Sequence, residues 1–151
     1  METVKAEMTR RVVFVTEDDD LVQAYDSMRA LEIQHVPVVR EGKVVGILSD
    51  RDVLLHAHKR HGRIEVRTTK VREAMVTDVA VCSPTTSIGS AVDLMIERHI
   101  HCLPVIDKDH RLVGIITTTD LLRLLRDREW RVDLPLPFQF EKPSFLMGLA
   151  A

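Results

Sequence analysis

Two short stretches carry residue types that can do chemistry at a useful spacing. They are Gly46-Ile-Leu-Ser49-Asp-Arg-Asp52 and Gly114-Ile-Ile-Thr117-Thr-Thr-Asp120. In each, a hydroxyl stands three residues before a carboxylate, at the point where a β-rich run gives way to a helical pattern. The plain reading is a helix cap. Ser49 or Thr117 sits at the N-cap and Asp52 or Asp120 at N3, a capping box with a carboxylate shorter than the usual Glu. A second reading is compatible with the first. A carboxylate on the first helical turn can accept hydrogen bonds from a vicinal diol such as a ribose, and backbone N–H groups nearby can receive a phosphate. One group of atoms would then hold two parts of a nucleotide.

Other constellations carry less. His99, His101 and Cys102 are close in sequence, but adjacent strand residues point to opposite faces, and no further ligand pair completes a four-ligand zinc site. No metal is expected. His56, His58 and His61 fall near the end of a helical stretch, where cations favour the C-terminus, and His58 and His61 would share a face at i, i+3. Asp18-Asp19-Asp20 suits a helix start. No Gly-x-Ser-x-Gly, Walker loop or Gly-x-Gly-x-x-Gly is present, and no base with an orienting partner stands out, so no enzyme activity is expected.

The elements that position the two stretches come from a repeat. Residues 8–54 lie over 75–122: Met8 on Met75, Val12 on Val79, Ala24 on Ala91, Met28 on Met95 and Pro37 on Pro104. After one extra residue in the second copy, Val45-Gly46-Ile47 falls on Val113-Gly114-Ile115 and Asp52 on Asp120. Two related halves facing one another make a cleft. Periodicity predicts, in each half, a strand (12–16; 79–82), a helix after Asp20 or Ser87, a strand (35–40; 103–106), a turn and a strand (44–48; 112–116). A last helix follows, from Ser49 to about His58 and from Thr117 to about Arg128. Each half is β-α-β-β-α, an α/β unit. The expected divisions are 1–58, a basic linker at 59–72, 73–126, and an extension at 127–151. That extension holds Trp130, Phe138, Phe140, Phe145 and three prolines, Pro135, Pro137 and Pro143. These aromatics are expected to pack across the module or a dimer mate.

The chain has 151 residues, a formal charge of −2 and two cysteines. Each half alone would bury little, so the halves are expected to need each other. The charge gives no general attraction to nucleic acid, no apolar run reaches the ~20 residues of a membrane helix, and no secretory signal or disulfide framework stands out. A soluble cytoplasmic protein is the expectation.

The doubled β-α-β-β-α pattern, the strand prolines Pro37 and Pro104, and the Gly-Ile-x-[Ser/Thr]-x-x-Asp endings resemble a pair of CBS domains, named for cystathionine β-synthase. The resemblance covers residues 8–125. It implies two repeats packed through their sheets about a pseudo-twofold axis, up to two clefts for adenine nucleotides, and frequent homodimerisation. It places ribose contacts at Asp52 and Asp120, with hydroxyls at Ser49 and Thr117. It places the base near Arg10, Val12, Thr77 and Val79, and beside Ile33-Gln34-His35 and Ile100-His101-Cys102. A basic residue at the position of His101 contacts phosphate in some relatives; the first half has Gln34 there. Arg51 is a candidate phosphate contact, and Thr119 stands at its place in the second half. The two clefts should therefore differ. The implied ligand is AMP, ADP or ATP, with S-adenosylmethionine and NAD(H) as alternatives, and the implied role is regulation of a partner or of the protein's own assembly. The competing reading is a structural or interaction module with vestigial clefts, working through dimerisation and the extension.

Overall fold

The computed structural model describes residues 2–66 and 69–128. Trp130, Phe138, Phe140, Phe145 and the three prolines of the extension lie outside the described residues.

The first half opens with a short helix, α1 (Val4–Glu7), followed by an extended crossing and α2 (Leu21–Ala30). The Asp20 carboxylate caps α2, accepting from the Val22 and Gln23 N–H groups at 2.9 and 3.0 Å. This helix buries Leu21, Ala24 and Met28, which share one face at helical spacing. Strands β1 (His35–Arg40) and β2 (Lys43–Ser49) then form an antiparallel hairpin. Its turn, Glu41-Gly42, has φ of 51° and 83°, the two positive values a two-residue primed turn needs. α3 (Asp50–Leu55) closes the half.

The second half repeats the plan with α4 (Val71–Ala74), α5 (Ile88–Arg98), the hairpin β5 (Cys102–Ile106) with β6 (Leu112–Thr117), and α6 (Thr118–Asp127). Ser87 caps α5 by accepting from the Ser90 N–H at 3.0 Å. Both hairpins carry a bulge at the same place, between Val38 and Val39 and between Val105 and Ile106.

Between the halves lies a third hairpin, β3 (Ala57–Arg60) with β4 (Arg63–Val66). This corrects the expected helix to His58. α3 ends at Leu55, where the His56 ring nitrogen lies 3.0 Å from the Asp52 carbonyl and closes the last turn. His58 faces Glu65 across the hairpin, and His61 sits in its turn with φ of 50°, so the two share no helix face.

The expected strands at 12–16 and 79–82 are corrected too. Each is reduced to single bridges because the segment crosses between two sheets. Thr9 pairs with Ile115 of β6, in the opposite half, and Val15 then pairs with Val38 of its own half. Likewise Val76 pairs with Ile47 of β2, and Cys82 with Val105. A segment that changes partner within six residues never builds a ladder.

The exchange extends to the cores. Val71 and Ala74 of α4 pack with Leu21, Met28, Leu48 and Val53 of the first half. Val4 of α1 packs with Met95, Leu103 and Ile116 of the second. Burying one valine contributes about 1.5–3 kcal/mol, so each half draws part of its stability from a helix belonging to the other.

Candidate functional site

The crossed connection builds two clefts. The smaller, about 400 Å³, has Thr117, Thr119 and Asp120 of the second half on one side and Arg11, Val12 and Ile33 of the first on the other. The larger, about 640 Å³, sets Ser49, Arg51 and Asp52 against Val79, Ile100 and Cys102. Each carboxylate thus shares a cleft with residues of the opposite half, several of them apolar. Gln34, His35 and His101 line both clefts.

Two of the sequence-derived positions stand apart. Arg10 and Thr77 line neither cleft; their chain neighbours Arg11, Val76 and Asp78 do. Arg10 instead donates to the Lys5 carbonyl. The structure also adds Arg123 to the smaller cleft and Arg98 to the larger. Arg123 lies one turn beyond Asp120, a spacing that the helical pattern already contains.

Both carboxylates are held the same way. Asp120 Oδ2 accepts from the Thr117 N–H at 2.9 Å and from the Thr117 hydroxyl at 2.8 Å. Asp52 Oδ2 accepts from the Ser49 N–H at 2.8 Å and the Ser49 hydroxyl at 2.7 Å. Both capping boxes are complete. The two lone pairs of Oδ2 are therefore occupied, and Oδ1 retains two, enough for a vicinal diol. Asp52 Oδ1 makes no hydrogen bond among the described residues, whereas Asp120 Oδ1 lies 3.5 Å from an Arg123 nitrogen. Capping thus engages only the Oδ2 oxygen of each carboxylate.

The remaining chemistry is quiet. Burial pushes the Cys102 thiol up to about 12 and the Cys82 thiol up to about 11, so both stay protonated and pack as small apolar groups. Among the described residues no group of three His, Cys, Asp or Glu side chains is placed to hold a metal ion. No described helix is long and apolar enough to cross a membrane.

Burial lowers the pKa of His35; Asp50 and Asp52 oppose the shift, while His101 and Arg51 add to it. The folded state therefore favours the neutral ring. Its contribution to stability is full above the ordinary imidazole value of ~6.5 and is lost as pH falls from there through the lowered folded value. Thermal melts of His35→Gln should accordingly fall less between pH 7 and pH 5 than those of the wild type. Parallel curves would assign the acid sensitivity elsewhere.

A model of the CBS domain matches the chain twice, over residues 3–59 and 71–127. The chain belongs to the CBS domain family. It is 34% identical over 123 residues to CBS domain-containing protein YhcV of Bacillus subtilis, across 80% of this chain and 84% of that one. It is 32% identical over 146 residues to inosine-5'-monophosphate dehydrogenase of Methanocaldococcus jannaschii, across 90% of this chain but 28% of that enzyme. Among solved structures, CBSX2 in complex with AMP matches with a TM-score of 0.75 at 24% identity, over 85% of this chain and 99% of that one. The CBS domain pair of protein MJ0100, in complex with 5'-methylthioadenosine and S-adenosyl-L-methionine, matches with a TM-score of 0.73 at 23% identity, over 85% and 99%. At these identities the two likenesses establish the fold, a tandem CBS pair.

Proposed function

We propose that this CBS pair is a regulatory module that binds an adenosine-containing ligand in its two clefts and passes occupancy on through its assembly or to a partner protein. The observation that carries this reading is the half-occupied carboxylate. Asp52 and Asp120 are each fixed by one oxygen, present the other for a diol, and face an apolar wall suited to a base. Arg51 in the larger cleft, and Arg11 and Arg123 in the smaller, supply cations for a phosphate. AMP, ADP and ATP are the ligands of choice, with S-adenosylmethionine and NAD(H) as competitors. That CBSX2 and the MJ0100 domain pair have been solved with adenosine compounds supports the class. A homodimer would be the assembly to report the change, since a ligand acts only through different affinities for two states.

A thermal-shift series tests this. At one hundred times Kd a ligand confined to the folded state adds about 2.7 kcal/mol, a rise of several degrees for a domain of this size. At least one of AMP, ADP, ATP, S-adenosylmethionine and NAD(H) should produce it. A flat result with all five would favour the interaction module with vestigial clefts.

A further inference from the structure

The clefts meet at a common wall. Gln34, His35 and His101 border both. The backbone fixes two of them in matching places: the Asp50 N–H donates to the Gln34 carbonyl and the Thr118 N–H to the His101 carbonyl, each at 3.0 Å. Both residues are thereby tied to the first turn of the helix that carries their half's carboxylate. A ligand touching this wall from one side changes the surface met from the other.

We propose that the two clefts are antagonistic for anionic ligands, a nucleoside monophosphate in one weakening its like in the other through the wall of Gln34, His35 and His101. This rests on the nucleotide reading and adds its regulation. Each cleft has cations of its own, Arg11 and Arg123 in the smaller, Arg51 and Arg98 in the larger. The imidazoles and the amide are shared. Two phosphates that draw on the same donors cannot both have them, and two like charges on either side of one layer of side chains repel. The fixed charges nearby do not relieve this. Asp50 and Asp52 stand near His35, the larger cleft adds Asp78 with His99, and the smaller adds Glu32 and Asp120. Burial favours the neutral ring of His35, so that side of the wall brings no standing positive charge to offset the repulsion.

Calorimetry with AMP decides. Asp52→Ala and Asp120→Ala each leave one working cleft, and their two isotherms define what independent sites would give. At pH 8 the wild type should bind its second AMP at least about fivefold more weakly than that sum, the lower end of usual coupling. Adenosine, lacking the phosphate, should follow the sum. In His35→Ala/His101→Ala, which removes two of the shared side chains, the AMP gap should shrink. If the double variant does not fold by circular dichroism, His101→Ala alone, at an exposed position, should shrink the gap in part. A wild-type isotherm equal to the sum, or an equal gap with adenosine, overturns the proposal. Failure of AMP to bind any variant or the wild type would instead overturn the nucleotide reading beneath it.

Discussion

Asp120→Ala should weaken AMP binding in the smaller cleft roughly ten- to a hundredfold, and Asp52→Ala should do the same in the larger. The estimate follows from the geometry of the carboxylates. Oδ1 of each is the oxygen left to a ligand, and hydrogen bonds to a charged acceptor contribute about 1.5–3 kcal/mol. Asp120 is only 13% exposed, so water compensates poorly for the lost acceptor. The same substitution removes the returning arm of a capping box, which costs about 1 kcal/mol of stability. The two effects separate by measurement, because melting without ligand reports the cap and calorimetry reports the ligand. Asp120→Asn sharpens the distinction, since it preserves shape and one carbonyl acceptor while removing the charge. It should recover most of the stability and little of the affinity. The larger cleft should respond more purely, because Asp52 Oδ1 makes no hydrogen bond among the described residues whereas Asp120 Oδ1 neighbours Arg123. Unchanged affinity in both alanine variants would remove the carboxylates from the site and the nucleotide reading with them.

The carboxylates were legible because their geometry is local. A spacing of three residues at a strand-to-helix junction fixes a capping box whatever surrounds it. The hairpins were legible for the same reason: Glu41-Gly42 demands a tight turn, and the alternation on either side supplies two strands. What the residues did not disclose is which half each segment serves. Thr9 and Val76 fall within the expected divisions 1–58 and 73–126, yet they pair with Ile115 and Ile47 of the opposite halves. Nothing local distinguishes the two outcomes, because the pairing is set by what each half lacks after its own elements pack. The same blindness hid α1 and α4, four residues each, too short to show a period. It also hid which residues complete each cleft, since Arg11 and Arg98 join carboxylates more than forty residues away. The hairpin at 57–66 was masked by its composition: His56, His58 and His61 read as a solvated helix end and 59–72 as a basic linker, whereas the strand pairing and the positive φ of His61 and Gly62, 50° and 80°, show a turn.

One signal of the exchange was present in the repeat. Gly46 and Gly114 recur in the two halves, and each lies in a strand, where glycine has no intrinsic advantage. The structure supplies the reason, because the crossing segment from the other half passes directly over them. A Cβ on Gly114 would lie 2.5 Å from Met8 Sδ and 3.2 Å from the Thr9 carbonyl oxygen; one on Gly46 would lie 2.7 Å from Met75 Sδ and 3.2 Å from the Val76 carbonyl oxygen. The methionine can turn aside, but the carbonyl belongs to the bridge that holds the crossing in place. Gly114→Val should therefore cost about 3 kcal/mol, the upper part of the range for an overfilled contact. At roughly 2–4 °C per kcal/mol the melting temperature should fall by roughly 6–12 °C. Affinity should fall on one side only, because the displaced segment carries Arg11 and Val12 of the smaller cleft. Gly46→Val should act through Val76, Asp78 and Val79 and impair the larger cleft instead. Gly89→Ala is the control: it lies within α5, its Cβ would meet nothing nearer than 4.0 Å, and it should be neutral or mildly stabilising. Melting of Gly114→Val at the wild-type temperature, with both clefts intact, would mean that the crossing does not pack against β6 in solution. The clefts would then have to be built from single halves.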